Sequence, residues 1–308
     1  MGDAWLAIVN PAAGGGRCGK QFPAALQRLR DGGVTIDVAE THAAGEAATI
    51  AKVAWLEGRR RFIAVGGDGT GFEIVNGLFP AAQGASDRPR LGFLPMGTGN
   101  SFLRDFTGAG SGPQAGAEHS IAALLEDRAR PCDVARLHHR NGVMHWINIL
   151  SIGFVADVNG LRARRFKAWG EFGYVAAVVT AVAGLRSRAF PLRCDGGALD
   201  DGKMVFASFN NSKFTGGKMM MAPHADTADG LVDFIRVGPL GRISLLRTFP
   251  KIFTGEHLRN PAVRETKHGR IEFDVTDEID VMIDGEACLL YTSPSPRDRT
   301  RSRMPSSA

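Results

Sequence analysis

Residues 66–70 read Gly-Gly-Asp-Gly-Thr and directly follow the apolar run 62–65. A strand that ends in three glycines is a poor core element, because each glycine raises the entropy cost of ordering the backbone. Such a loop suits a place where backbone N–H groups must approach a ligand closely. The helical spacing of residues 72–79 puts the loop at a helix N-terminus, which favours anions. The pattern therefore predicts a phosphate-binding loop, with a plain strand-to-helix turn as the alternative.

Two more glycine-rich loops follow apolar strands in the same way. Residues 10–17 read Asn-Pro-Ala-Ala-Gly-Gly-Gly-Arg after the strand 5–9, and residues 95–100 read Pro-Met-Gly-Thr-Gly-Asn after the strand 91–94. Ligands of open α/β sheets bind beyond the carboxyl ends of the strands. Three such loops at three strand ends can therefore surround one phosphorylated ligand.

The order of the predicted elements divides the chain near Pro131. Over residues 1–130, strands alternate with helices, which predicts an α/β nucleotide-binding domain with an open parallel sheet and helices on both faces. Over residues 131–287, short β-rich runs between turns predict a mostly antiparallel β-sandwich domain. Helical interruptions are expected at 161–185 and 242–253. Apolar residues make up 44% of the chain, which is ample for two buried cores.

The last segment, residues 288–308, reads CLLYTSPSPRDRTRSRMPSSA and has no apolar periodicity. It resembles the translation of a sequencing-library adapter, so we expect a non-native tail, with a natural disordered basic tail as the alternative. The segment holds four arginines and one aspartate, and so carries +3 of the net charge of +5. Because the rest of the chain is nearly neutral, we expect no nucleic-acid partner.

The remaining composition points to a reducing compartment. Three scattered cysteines precede residue 288, and no C-x-x-C pattern occurs among them. The most apolar helical run, residues 174–185, is too short to span a bilayer, and the N-terminus lacks the pattern of a signal peptide. We expect a cytoplasmic protein without a transmembrane segment, at most peripheral to the inner face of a membrane.

The three glycine-rich loops, NPAAGGGR, GGDGT and LPMGTGNSFLRDF, resemble in order and spacing those of the soluble lipid kinase superfamily. This superfamily contains the bacterial diacylglycerol kinases, sphingosine kinases and ceramide kinases. Three later segments are also similar to the family: NILSIGFVAD at 148–157, ADTADGL at 225–231 and DGE at 284–286. The similarity covers residues 4–287. GGDGT alone is shared with NAD kinases and phosphofructokinases, whose fold the resemblance implies for the N-terminal domain.

The resemblance implies an ATP- and Mg²⁺-dependent lipid kinase, with residues 131–287 as its lipid-substrate domain. Such an enzyme transfers the γ-phosphate to a hydroxyl of a diacylglycerol-like or sphingoid lipid at a membrane surface, and a homodimer is compatible with it. Backbone amides would form the phosphate cradle, Asn10 and Thr70 would add side-chain hydrogen bonds, and Arg17 would add charge. The resemblance places residues 97–100 on the nucleoside side of the cleft. Glu73 matches a Glu of the family pattern. The expected nucleotide-binding residues are Asn10, Gly14, Gly15, Gly16 and Arg17; Gly66, Gly67, Asp68, Gly69 and Thr70; Glu73; and Gly97, Thr98, Gly99 and Asn100.

Asp284 follows the predicted strand 279–283 and precedes Gly285 and Glu286. Asp-Gly is a common hairpin turn, so the residues alone allow a purely structural role. The resemblance implies that Asp284 is the general base that accepts the lipid hydroxyl proton, with Glu286 as a metal or positioning partner. Asp68 and Asp133 are the other candidates for the Mg²⁺ site, since a cation beside Asp68 would also explain a carboxylate in a phosphate loop.

Asp226 and Asp229, with Leu231, have the spacing of a small oxygen-ligand metal loop. The resemblance implies a structural Mg²⁺ there, away from the ATP, and solvated Asx turns are the alternative. Two positions depart from the family: Phe72 replaces a frequent Asn, and Ser101 replaces the Asp of many bacterial diacylglycerol kinases. The basic, aromatic segment 161–172 could form a lipid-contacting lid or a solvated charge run.

Three other functions stay open at this point. An NAD kinase also uses GGDGT, but the first loop and the late DGE disfavour it. A dinucleotide oxidoreductase would account for the G-x-G-x-x-G spacing of residues 14–19 and would leave GGDGT unexplained. A non-catalytic nucleotide- or lipid-binding regulator would account for the departures at Phe72 and Ser101. The retained carboxylates at 68, 133, 284 and 286 favour the kinase.

Overall fold

A computed structural model describes residues 4–107, 113–140, 142–153, 184–273 and 279–290. The N-terminal lobe is built on a parallel sheet of four strands in the order β2-β1-β3-β4. Its strands β3 and β1 are buried along almost their whole length, as expected for central strands covered on both faces. The strands are β1 Trp5–Val9, β2 Ile36–Glu40, β3 Arg61–Gly66 and β4 Arg90–Pro95.

Helices cover both faces of this sheet. On one face, α1 and α5 pack against β1 and β3 through residues such as Phe22, Leu29 and Ile121. On the other face, α2 and α3 contribute Trp55 and Ile74 to a second core. The predicted open α/β sheet with two helical layers is confirmed. The helices of this lobe are α1 Arg17–Asp31, α2 Glu46–Leu56, α3 Asp68–Leu78, α4 Arg104–Thr107 and α5 Pro113–Leu125.

The C-terminal lobe is centred on an antiparallel sheet of six strands in the order β15-β14-β11-β7-β17-β18. Two-stranded ribbons β5-β6, β8-β10, β9-β16 and β12-β13 complete the lobe. The strands are β5 Ala135–His139, β6 Gly142–Trp146, β7 Ile149–Gly153, β8 Arg188–Ala189, β9 Leu192–Cys194, β10 Lys203–Met204, β11 Phe206–Asn210, β12 Phe214–Thr215, β13 Met219–Met220, β14 Val232–Val237, β15 Val263–His268, β16 Ile271–Phe273, β17 Ile279–Ile283 and β18 Glu286–Leu290.

The two faces of the six-stranded sheet bury different cores. Phe209 and Phe234 stack on one face, with ring centroids 5.0 Å apart, beneath ribbon residues that include Trp146 and Phe190. The opposite face is covered by α6, Arg242–Thr248, and by the 3-10 helices Phe249–Thr254 and Glu256–Arg259. The predicted, mostly antiparallel sandwich is therefore present, and the helix expected at 242–253 is observed as α6 followed by a 3-10 turn.

Two predictions concern parts of the chain at the limits of the described residues. The segment 161–172 and nearly all of the helix predicted at 161–185 lie outside them, as do residues 291–308. Residues 288–290, which we expected to belong to a non-native tail, continue β18 and pair with β17. None of the helices in the described part of the chain has the length and apolar character needed to cross a bilayer.

The lobes meet where α3 packs on the C-terminal lobe. The Asn76 side chain binds both backbone groups of His145, with Nδ2 donating to the carbonyl and Oδ1 accepting from the N–H, each at 2.9 Å. Phe72, one turn earlier on α3, packs against the sandwich core. A small apolar cluster of Val75, Phe102 and Ile147 fills the rest of this seam. These contacts set the position of β6 and of the residues that follow it.

Candidate active site

A cleft of about 450 Å³ opens at the carboxyl ends of the parallel strands. In the strand order β2-β1-β3-β4, β2 lies on one side of β1 and β3 lies on the other. The strand order therefore reverses between β1 and β3, which is the topological switch point of the sheet. This is where ligands of open α/β sheets bind. The cleft is lined by the loops after β1, β2, β3 and β4, and by Glu286 from the C-terminal lobe.

The glycine-rich loops touch each other through backbone atoms. A Cβ on Gly97 would lie 2.3 Å from the Cα of Gly67, and a Cβ on Gly14 would lie 2.6 Å from the Met96 carbonyl oxygen. Gly14 also has a positive φ of 63°. Side chains at these positions would separate the loops, so glycine is required for close approach rather than for turn geometry alone.

The structure brings about half of the predicted nucleotide-binding residues to the cleft wall. The wall includes Asn10, Gly14, Gly67, Gly69, Thr70, Glu73, Gly97 and Thr98. Arg17 lies outside it and donates from Nε to the Gly14 carbonyl at 3.0 Å, so it braces the first loop. Gly66, Asp68 and Asn100 line a small void behind the wall, large enough for about one water molecule. Gly15, Gly16 and Gly99 are not part of either lining.

Asp284 is in the two-residue loop between β17 and β18. Asp284 and Gly285 have φ values of 46° and 93°, which is the backbone pattern of a type I′ hairpin. The Asp284 side chain is only 2% exposed. Its Oδ1 accepts from the N–H groups of Asn148 and Ile149, at 3.0 and 2.8 Å, and its Oδ2 accepts from Ile147 N–H at 3.0 Å. The residue is therefore both a hairpin turn and a buried carboxyl held in one orientation.

The charge state of Asp284 is tuned by its surroundings. Burial raises the pKa of Asp284 to about 7, the three N–H donors oppose this rise, and the negative charge of Asp68 adds to it. Burial also raises the pKa of Asp68, against hydrogen bonds from Ser101 and Phe102. The two carboxyls thus lie close enough for their charges to interact, one from each lobe. A carboxyl with a pKa near neutrality can accept and release a proton at physiological pH.

Glu286 reaches back from β18 to the loop after β3. A Cβ on Gly69 would lie 2.6 Å from Glu286 Oε1, so the absence of a side chain at Gly69 makes room for this carboxylate. Glu286 is exposed to solvent and lines the cleft, whereas Asp284 is buried. The two predicted catalytic carboxylates therefore lie in different environments on one hairpin.

The two positions that depart from the family pattern have structural roles. Ser101 donates its backbone N–H to both Asp68 oxygens, at 2.9 and 3.0 Å. Its hydroxyl accepts from Gly217 N–H at 2.8 Å and so joins this loop to the β12-β13 hairpin. Phe72 replaces a polar residue with one that packs into the sandwich core. Both residues connect the two lobes.

The predicted metal residues fall into two separate places. Asp68 lies behind the cleft wall, whereas Asp133 Oδ2 accepts from Gly230 N–H at 2.7 Å, beside the loop 226–231. In that loop Asp226 and Asp229 accept from the N–H groups of Ala228 and Leu231, which are Asx-turn contacts. Asp229 also pairs with Lys267 at 2.6 Å. Across the described ranges, no group of three or more His, Cys, Asp or Glu side chains is arranged to hold a metal ion.

The segment after β2, which carries no motif in the sequence, also contributes to the cleft. Thr41, His42, Ala43, Ala44 and Ala47 line the cleft, and Ala47 N–H donates to Glu73 at 3.1 Å. The available signal was weak: a run of small residues between a strand and a helix. Asn76 was also missed, because an amide inside an amphipathic helix has no motif that identifies its partner.

Comparison with known proteins gives the family. The model of the diacylglycerol kinase catalytic domain matches residues 4–137, and that of the YegS C-terminal NAD kinase beta sandwich-like domain matches residues 148–294. The chain is 31% identical over 288 residues to a diacylglycerol kinase of Mycobacterium tuberculosis (strain ATCC 25618 / H37Rv), covering 92% of this chain and 89% of that protein. It is 28% identical over 281 residues to a diacylglycerol kinase of Bacillus subtilis (strain 168), covering 91% and 88%.

Solved structures from Bacillus anthracis str. Sterne share the fold. One aligns with a TM-score of 0.70 and 24% identity, over 96% of this chain and 98% of that chain. A second, described as a diacylglycerol kinase, aligns with a TM-score of 0.65 and 22% identity over the same shares. With the family models covering both lobes and a relative above 30% identity over nearly its full length, the chain belongs to the diacylglycerol kinase family and is a kinase.

Proposed function

We propose that this kinase transfers the γ-phosphate of ATP to the hydroxyl group of a diacylglycerol-like lipid. The observation that carries the proposal is the position of Asp284. Its carboxyl is buried, is held by three backbone N–H groups and has a pKa near 7. It is on the same hairpin as Glu286, which lines the glycine-rich cleft. A general base for a hydroxyl nucleophile needs this combination of fixed position and near-neutral pKa.

The features of the cleft support a nucleoside triphosphate as the phosphate donor. The cleft walls include glycines of the loops after β1, β3 and β4, and α3 begins at Asp68, next to the cleft-lining Gly67. Aligned N–H groups at a helix N-terminus favour phosphate. We assign Gly14, Gly67 and Gly69 to the phosphates. His42 and Ala43, from the loop after β2, would flank the nucleoside.

Mg²⁺ is expected with the nucleotide, because kinases bind it through one or two carboxylates and the substrate phosphates. Asp68 is our candidate for that role, because it begins α3 directly behind the cleft wall, between the cleft-lining residues Gly67 and Gly69. When bound, the cation would neutralise charge that develops on the phosphates. Asp133 instead accepts from Gly230 N–H beside the loop 226–231, so we do not assign it to this site.

In the proposed reaction the acceptor hydroxyl oxygen forms a bond to the γ-phosphorus as the bond between that phosphorus and the β,γ-bridging oxygen breaks. The hydroxyl proton passes to Asp284, and ADP leaves with the bridging oxygen. Phosphoryl transfer depends mainly on positioning and electrostatics, so the protein's contribution is the fixed geometry of the cleft and the base. The proposed role of Glu286 is to orient the reacting groups from the cleft wall.

The class of acceptor rests on the family rather than on the cleft. The relatives from Mycobacterium tuberculosis and Bacillus subtilis are both named diacylglycerol kinase, and together they support a lipid alcohol with an exposed hydroxyl. Such an acceptor resides in a membrane, so the enzyme would act as a peripheral protein.

Transfer from [γ-³²P]ATP to a panel of acceptors tests the proposal. The panel contains diacylglycerol, sphingosine, ceramide and NAD, each offered with Mg²⁺ and the lipids in mixed micelles. We expect label in diacylglycerol. Label only in NAD would support an NAD kinase, and nucleotide binding without transfer to any acceptor would support a non-catalytic regulator. Either result would overturn the proposal.

A further inference from the structure

The segment formed by α6 and the following 3-10 helix has apolar side chains on two sides. Leu245 and Ile252 pack on the core of the C-terminal lobe. Ile243, Leu246 and Phe253 are instead 67%, 55% and 49% exposed. Ile243 and Leu246 are three apart on one face of α6, and Phe253 lies in the 3-10 helix that follows it. Isolated exposed apolar residues are common, but three large ones on thirteen consecutive residues mark an interaction surface.

The charges on this segment are nearly all positive. Arg247 and Lys251 are exposed, and neither forms an ion pair with any residue in the described part of the chain. The only acidic residue within 242–259 is Glu256, and it pairs with Arg259 at 2.8 Å. The exposed apolar side chains are therefore accompanied by cations whose charge is available to a partner.

Hydrogen bonds anchor the segment to the C-terminal lobe. His257 Nε2 contacts the Met221 carbonyl at 3.0 Å, and Asn260 Nδ2 donates to Thr248 Oγ1 at 2.7 Å. A partner would therefore meet a preformed surface and would not have to order it, which avoids an entropy cost.

One hairpin connects this surface to the candidate active site. A Cβ on Gly255 would lie 3.3 Å from Met220 Sδ, so the 3-10 helices pack against the β12-β13 hairpin. At the other end of that hairpin, Gly217 donates to the Ser101 hydroxyl beside Asp68. The exposed surface and the cleft therefore share one structural support.

We propose that Ile243, Leu246 and Phe253, with Arg247 and Lys251, form a docking surface for a membrane that contains anionic phospholipid. The apolar side chains would enter the interfacial region and the cations would contact lipid phosphates. A second copy of the chain fits this surface less well. A two-fold interface would place the surface against itself and oppose like charges. The surface would deliver the enzyme to its acceptor, so its purpose rests on the proposed lipid kinase function.

The test is binding of the full chain to sedimented vesicles, with neither ATP nor acceptor present. Vesicles of phosphatidylcholine alone are compared with vesicles that also contain phosphatidylglycerol. We expect binding to the anionic vesicles, and we expect it to weaken as salt is raised. Replacing Arg247 and Lys251 by Gln should weaken binding by about fivefold for each residue. The apolar variant Ile243→Ser/Leu246→Ser/Phe253→Ser should lose most of the binding.

Two matched controls carry the same chemical changes elsewhere. Val53→Ser/Leu56→Ser removes exposed apolar side chains from α2, which are 48% and 69% exposed. Lys52→Gln/Arg264→Gln removes two exposed cations from other surfaces. Both controls should bind vesicles like the wild type. Thermal unfolding and near-UV circular dichroism would verify that every variant is folded.

Three results would overturn the proposal: no binding of the wild type to anionic vesicles, equal binding of wild type and both 242–253 variants, or equal losses in the controls. A dimer that is disrupted by the apolar variant, with vesicle binding unchanged, would assign the surface to self-association and also overturn it. Transfer to a water-soluble, short-chain acceptor measures the kinase separately, and the 242–253 variants should retain it. Vesicle binding therefore tests the docking surface, and transfer to the short-chain acceptor tests the kinase function, so a failure of one can be told from a failure of the other.

Discussion

Asp284 and Ile149 bind each other in both directions. Asp284 N–H donates to the Ile149 carbonyl at 2.8 Å, and Ile149 N–H donates to Asp284 Oδ1 at 2.8 Å. The pair fastens the turn between β17 and β18 to the start of β7, in the centre of the sheet. A residue in a surface turn is thereby buried with its side chain immobilised. The pre-organisation proposed for the general base follows from this reciprocal contact.

The activity should depend on pH through Asp284. Its pKa in the folded protein is raised to about 7, and the base must be deprotonated to accept a proton. We therefore expect kcat/KM to fall below about pH 7, by about tenfold for each pH unit. Asp68→Asn removes a negative charge that raises this pKa. The fall in kcat/KM on the acid side of the variant's pH profile should therefore move to lower pH. A fall that occurs at the same or a higher pH than in the wild type would contradict the electrostatic coupling between Asp68 and Asp284.

Gly97→Ala should destabilise the N-terminal lobe. The new Cβ would lie 2.3 Å from the Gly67 Cα and 2.8 Å from the Gly67 nitrogen, and backbone atoms cannot move aside without separating the loops. We expect a loss of about 1–3 kcal/mol in the free energy of unfolding, measured by urea titration. Gly241→Ala, where a Cβ would meet nothing within 4 Å, is the control and should change stability by less than about 1 kcal/mol. Equal effects of the two changes would refute the close packing of the loops.

Gly69→Ala should affect catalysis more than stability. Its Cβ would meet the end of the Glu286 side chain, which is exposed and can rotate away. We expect unfolding within about 1 kcal/mol of wild type and transfer reduced by at least about tenfold, because Glu286 would leave its position. Assays of transfer and urea unfolding on the same preparation check both parts. Wild-type transfer in this variant would remove Glu286 from the proposed site.

Asn76→Ala should weaken the joint between the lobes. It would leave the buried N–H and carbonyl of His145 without their partner, at a cost of about 1–3 kcal/mol. Because β6 leads into the N–H groups of residues 147–149, transfer should fall as well. Gln83→Ala, at an exposed amide, is the control and should be close to neutral. The proposed clamp would be wrong if Asn76→Ala unfolded like the control.

The strand-loop-helix units were predictable from local sequence. Residues 62–70 carry an apolar run followed by glycines, and the structure has β3, the loop and α3 there. The short β-rich runs separated by turns after Pro131 were likewise enough to predict antiparallel strands. Such elements depend on residues that are close together in the sequence, so the spacing of apolar residues indicates them directly.

Contacts between distant segments were not predictable. Asp284 is held by N–H groups that lie 135 to 137 residues earlier, and Asn76 binds His145, 69 residues later. No local period encodes those pairings, because they depend on how the two lobes pack. The cleft wall after β2 was missed for a related reason: small residues that leave space for a ligand carry no chemical signature.

Asp284→Asn is the sharpest test of Asp284 as the general base. The substitution keeps the size of the side chain and removes its ability to take a proton. Transfer from [γ-³²P]ATP to diacylglycerol should fall by at least about a hundredfold. ATP binding, measured by equilibrium dialysis, should remain close to that of the wild type. Transfer within a few-fold of the wild type would exclude Asp284 as the general base.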